Sequence, residues 1–167
     1  NMQSGKMPTP VGVDVVDHEF HGGTFVDNQY LYAISIDDSS GLFRTEPGIA
    51  AKTEGHVVHN TDKRYSSPCF STRRRELAYS ILENDGSENL HILHIDSEAE
   101  KEVTSGDSRD SFPRWDMGGS DRLVYQTAGI GRDMHGNFAL MGTSAISIVD
   151  FEYGDIYEVT CSNTHDY

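Results

Sequence analysis

The chain has 167 residues, with 13 Lys and Arg against 27 Asp and Glu and a formal charge of −14. That length suits one domain that buries roughly 70% of its unfolded surface. That charge excludes a phosphate-tracking surface, so no nucleic-acid partner is expected. The sequence has neither an apolar run of about eighteen residues nor a charged-then-apolar leader pattern, and no membrane insertion is expected. The two cysteines, Cys69 and Cys161, lack CxxC spacing and read as free thiols.

Residues 1–10 hold two prolines and a glycine without apolar periodicity and form a lead-in segment; residues 11–167 read as a single domain. Val11 to Val16 alternates as a strand does. Asp17, Asp62 and Asp107 then recur at forty-five-residue intervals, each four residues after a valine (Val13, Val58, Val103). Three repeats follow, at about 18–62, 63–107 and 108–163. Phe25, Phe70 and Trp115 are equivalent, and the second and third copies share D-x-R-x-S-x-P: Asp62, Arg64, Ser66, Pro68 and Asp107, Arg109, Ser111, Pro113. After the strand ending at the aromatic comes a polar turn (Ser71 to Arg75; Asp116 to Asp121). Second strands are expected at Leu31–Ser35, Leu77–Ser80 and Leu123–Gln126, and third strands at Gly41–Thr45, Leu90–Ile95 and Ala145–Val149. Weaker fourth strands follow at about Lys52–Val58, Lys101–Thr104 and Asp155–Thr160.

No stretch keeps a helical period. A repeat of roughly 40 to 50 residues with four strands predicts an all-β chain of propeller blades, each of four antiparallel strands, about three of them present. Leu90, Ile92, Leu93 and Ile95 put apolar side chains on both faces of one strand, which suits a sheet covered on both sides. A ring takes at least about four blades. The expectation is therefore part of a longer propeller, a ring completed by self-association, or an assembly capped by a partner.

The motif S-x-P-x-F/W, followed by L-x-Y-x, a third strand ending in Ile95-Asp96 or Val149-Asp150, and x-V-T at Val103-Thr104 or Val159-Thr160, resembles the TolB-like propeller repeat, also called PD40 or WD40-like. The resemblance runs over nearly all of residues 11–167. It implies a binding or scaffolding module with protein or peptide partners, in the periplasm or cell envelope. Members of that family usually carry Ser-Pro-Asp-Gly after the aromatic; here Ser71-Thr72-Arg73-Arg74 and Asp116-Met117-Gly118-Gly119 stand there instead.

Loops between fourth and first strands and between second and third strands share one rim of a propeller. That places Asp62, Arg64, Asp107 and Arg109 together as a candidate contact surface for a charged peptide or a cation, against the plainer role of each Asp capping its own turn. The segment Thr127 to Gly142 lengthens one loop and is expected to cross the channel mouth as a binding loop, or else to form a surface hairpin; Arg132, Asp133 and His135 are its reactive residues. Of the HxxH pairs, His91 and His94 fall on a strand and point to opposite faces, whereas His18 and His21 are expected in a rim loop as candidate metal ligands. No G-x-S-x-G elbow, dinucleotide fingerprint or cofactor motif is present. The reading is a non-enzymatic binding module without catalytic residues. Its alternatives are a metal-dependent lyase or hydrolase with His and Asp ligands, and the propeller part of a larger serine peptidase.

Overall fold

The computed structural model describes residues 18–27, 29–36, 39–45, 55–59, 63–116, 118, 120–136 and 138–160, so the expected strand at Val11–Val16, and Asp17, Asp62 and Cys161, lie outside the described residues. Every regular element in it is a strand. The first unit comprises β1 (His18–Val26), β2 (Gln29–Ile36), β3 (Ser39–Thr45) and β4 (Gly55–His59); the second β5 (Arg64–Ser71), β6 (Glu76–Leu82), β7 (Glu88–His94) and β8 (Ala99–Glu102). The third comprises β9 (Ser108–Trp115), β10 (Arg122–Arg132), β11 (Phe138–Asp150) and β12 (Asp155–Thr160). Within each unit consecutive strands pair antiparallel, and a single parallel bridge, Glu88 with Arg109, joins the second unit to the third.

The pairings set the repeat more finely than the sequence does. Phe25 faces Tyr30, Phe70 faces Leu77 and Trp115 faces Leu123. Tyr30, not Leu31, is therefore the equivalent of Leu77, and Tyr32, Tyr79 and Tyr125 fall on one position. With this register the alternation is consistent. Leu31, Ala33 and Leu42 of the first unit and Leu77, Tyr79, Ile81 and Leu93 of the second belong to one buried cluster. The opposite face of the second unit, Ala78, Leu90 and Ile92, packs with Trp115, Leu123, Tyr125 and Val149 of the third. Strand β6 is thus buried on both faces from Leu77 to Ile81, as a middle layer must be. The next face in this series, on the third unit, leaves Ile146 and Tyr157 exposed.

The turns between first and second strands clamp the layers. Arg75, held in the left-handed region at φ 57°, reaches back to Asp27 of the first unit (2.7 Å) and across to Asp96 (2.9 and 3.1 Å). Arg73 and Arg74 reach forward to Asp121 of the third unit, and the Arg74 guanidinium lies over the rings of Trp115 and Phe151 at 5.3 and 5.0 Å. Arg73 and Arg74, standing where Ser-Pro-Asp-Gly is expected, and Arg75 beside them therefore tie one unit to both neighbours. First strands touch each other across units, whereas β8 and β12 touch only the strand before them among the described residues, so the units converge along β1, β5 and β9.

Candidate ligand-binding groove

Each first strand carries the same defect. Four residues of β1 (Phe20 to Gly23) span three of β2, four of β5 (Ser66 to Cys69) span three of β6, and four of β9 (Ser111 to Arg114) span three of β10. One extra residue is inserted each time, a β-bulge. The inserted positions fall forty-five residues apart and all have positive φ: Gly22 at 108°, Ser67 at 52° and Phe112 at 55°. Proline follows the second and third of them; it has no N–H to donate to a ladder, and a bulge is one of the few sheet positions that accepts it. The S-x-P motif is thus the sequence form of the bulge, with x in the left-handed conformation.

Between these bulges opens a groove of about 670 Å³. Its walls come from β1 (His21 to Gly23), β5 (Ser66 to Pro68) and β9 (Ser111, Phe112, Arg114), with Gln126 and Ala128 from β10, Leu140 and Ser144 from β11, and Glu88 and Arg109 at the parallel bridge. Phe112 and Leu140 are 57% and 56% exposed. A phenylalanine at positive φ is costly, and the equivalent positions take Gly and Ser, so the exposed ring is not there to satisfy the backbone.

Two hydrogen-bonded acids stand at and beside the parallel bridge. Ser66 donates its hydroxyl to Glu88 (2.8 Å), and Thr127 donates to the buried Asp110 (2.6 Å). Burial raises the Glu88 carboxyl above its ordinary value, opposed by the Ser66 bond and by the charge of Arg109. Arg109 donates its Nε to the Gly86 carbonyl (3.1 Å), in the turn between β6 and β7.

The expected rim is partly assembled here. Arg109 lines the groove. Asp107 is exposed, and its main-chain carbonyl accepts from the Ile130 N–H (3.4 Å). Arg64 is exposed at the start of β5. The segment 127–142 is not a loop crossing the channel mouth: β10 and β11 extend through it as a paired hairpin, because Gly129 to Arg132 keep register with Phe138 to Met141. Only the tip turns. There Asp133 accepts from the His135 N–H (2.8 Å), Arg132 donates to the Gly136 carbonyl (2.7 Å), and the Arg132 guanidinium stacks 4.2 Å from the Phe138 ring. A Cβ on Gly86 would meet that ring at 2.5 Å, so the hairpin folds back on the second unit. His18 and His21 lie in strand β1, not in a rim loop, because β1 begins earlier than its apolar pattern suggests. His21 lines the groove. Among the described residues no three His, Cys, Asp or Glu side chains gather as a metal set.

No family model matches the sequence, and no curated protein matches it. Solved structures do. A protein described as TolB from Agrobacterium tumefaciens superposes with a TM-score of 0.63 at 14% identity, over 87% of this chain and 50% of its own. TolB from Acinetobacter baumannii matches with a TM-score of 0.56 at 14% identity, over 81% of this chain and 30% of its own. The chain has a TolB-like β-propeller fold. The acylaminoacyl peptidase of Pyrococcus horikoshii also matches, with a TM-score of 0.52 at 11% identity, over 86% of this chain and 25% of its own. This chain thus spans half or less of the length of each. Within the TolB-like propeller, the groove follows the strands along which the units converge, and it opens at the end that carries the turns from β6 to β7 and from β10 to β11.

Sequence reasoning missed Ser66, Glu88, Ser111, Phe112, Arg114 and Gln126 as groove residues. It read S-x-P as plain inner strand. The available signal was the variable x, which is Gly, Ser or Phe at a position otherwise fixed by the repeat.

Proposed function

We propose that this TolB-like propeller is a non-enzymatic binding module that takes a protein or peptide partner. The partner seats in the groove between the bulged first strands, framed by Arg64, Asp107, Arg109 and the turn of Arg132, Asp133 and His135. The observation that carries this reading is the groove itself: an open concavity with exposed Phe112 and Leu140 beside hydrogen-bonding groups, the mix of apolar anchor and polar rim on which recognition depends. The fold agrees with it. A cell-envelope location belongs to the same proposal.

The test is site-specific photo-crosslinking of the protein in its native cells. A crosslinker at Phe112 or Leu140 is expected to capture a partner polypeptide, and one at Tyr153, exposed at the opposite end, is not. Capture from Tyr153 alone, or from none of the three positions, sinks the proposal.

The likeness to the Pyrococcus peptidase supports a second reading, the propeller portion of a larger serine peptidase. Labelling of the whole natural protein by a fluorophosphonate serine probe would favour it, and absence of labelling would favour the binding module.

A further inference from the structure

The arginines divide by position. Arg73, Arg74, Arg75 and Arg122, at the turns between first and second strands, are each paired with a carboxylate. The two arginines that line the groove are not. Arg109 bonds the Gly86 carbonyl through Nε, and Arg114 bonds the carbonyl of its own neighbour Pro113 (2.8 Å). Among the described residues neither has a carboxylate within ion-pair distance. Among the described residues Arg64 and Arg132, toward the same end, also hold no carboxylate.

Nearby acids are already engaged by other donors. Glu83 takes Lys63 (2.9 Å), Asp85 takes the Ser87 N–H and hydroxyl (3.0 and 2.6 Å), Glu88 takes Ser66, Asp110 takes Thr127, and Asp133 takes the His135 N–H. Donors are therefore in surplus on the groove wall, and a guanidinium fork is built to take an oxyanion in two parallel bonds. A multiply charged ligand is repelled by the chain's overall field, whereas a single carboxylate gains its energy only at contact. Beside the arginines, Phe112 and Leu140 offer apolar surface that nothing in the described structure covers.

We propose that the groove selects a peptide segment presenting one carboxylate next to an apolar side chain, the carboxylate held by the guanidinium of Arg109 or of Arg114 and the apolar group by Phe112 and Leu140. This rests on the peptide-binding reading and gives the partner its chemistry. The carboxylate comes from an Asp or Glu side chain or from a chain terminus; the donor geometry suits both.

Selection from a random-sequence peptide display library against the whole protein tests it, followed by fluorescence anisotropy on the selected peptides. Enrichment of one acidic residue, or of a free terminus, beside Leu, Phe or Ile is expected. Replacing that residue by its amide, or amidating the terminus, should weaken binding roughly tenfold or more, and the loss from each identifies the source. Arg109→Gln with Arg114→Gln should produce the same loss, and Arg73→Gln should not. R109Q and R114Q are also made singly, and one of the two should show the loss if the double variant fails to fold. Peptides that bind without a carboxylate and are indifferent to R109Q and R114Q overturn the inference and leave a peptide-binding groove. A library that yields no enriched sequence overturns both.

Discussion

The indole N–H of Trp115 donates to the main-chain carbonyl of Cys69 across 3.1 Å, and one repeat earlier the N–H of Phe70 meets the Thr24 hydroxyl at 3.4 Å. Both bonds join the same two repeat positions, so the aromatic that ends one first strand is anchored to the strand before it. Trp115→Phe keeps most of the ring burial and leaves the carbonyl without its donor, for a loss of about 1–2 kcal/mol. Trp115→Ala also removes the packing against Leu123 and Phe151, for about 3–5 kcal/mol. Urea unfolding gives both values. Thiol labelling of the half-buried Cys69 should speed up in the alanine variant more than in the phenylalanine one.

The three bulges make a second prediction, at Ser67. Its φ of 52° and its 8% exposure leave room for glycine but not for a branched side chain. Ser67→Val is expected to cost about 1–3 kcal/mol through backbone strain, and Ser67→Gly to stay within about 1 kcal/mol of the parent. Phe112→Gly, at the equivalent position, should leave stability within about 1 kcal/mol and abolish crosslinking and peptide binding at the groove. Equal destabilisation by all three would mean that the bulge has no conformational preference. Thermal melts with matched binding assays separate the outcomes.

The bulge also shows where sequence reading stops. Period, strand order and the two-sided burial of β7 were legible because they rest on apolar patterning and on repeated Pro-x-aromatic spacing, which single residues report. The register was not: Leu31 resembles Leu77 in type, yet Tyr30 occupies its place, because pairing with Phe25 sets the position rather than side-chain likeness. The long hairpin was hidden for a related reason. Gly129, Gly131 and Gly136 lie in the segment expected as a lengthened loop, but the first two sit in a ladder extended by pairing with Phe138 to Met141, and only Gly136, at φ 82°, uses its freedom to turn. The groove needs three strands from three repeats at once, which no local pattern encodes.

Alkaline pH should unfold the protein through its tyrosines. Burial, with the charges of Glu100 and Glu83, pushes the Tyr65 hydroxyl up to about 12; burial and the bond to Glu100 raise Tyr79 further, and burial raises Tyr30 and Tyr125. A raised folded value means that the folded state holds these protons more tightly than the unfolded chain does. Their contribution is fully present below the ordinary value of 10.0 and is lost as pH climbs from there through about 12. The denaturant midpoint should be level to about pH 9.5 and fall steeply between about pH 10 and 12, in step with tyrosinate absorbance. Tyr65→Phe should flatten that fall. A level midpoint in parent and variant alike would refute the assignment.

Gly86 and Phe138 couple the long hairpin to the second unit. Gly86 is buried at φ 85°, and any Cβ there would press on the Phe138 ring at 2.5 Å. Gly86→Ala therefore meets backbone strain and a clash together, for an expected loss of about 2–4 kcal/mol. Phe138→Ala alone removes a ring that is 37% exposed and stacked under Arg132, so it should cost only about 1 kcal/mol. In the double variant the clash is gone and the strain remains, so the cycle should return a favourable coupling of about 1–2 kcal/mol. Limited proteolysis supplies the conformational readout. Freed of its contact with Gly86, the tip around Arg132 should be cleaved faster in Phe138→Ala than in the parent. Additive losses with an unchanged cleavage rate would mean that the hairpin stands by its own pairing, and Arg132 would then no longer be held beside the groove by the second unit.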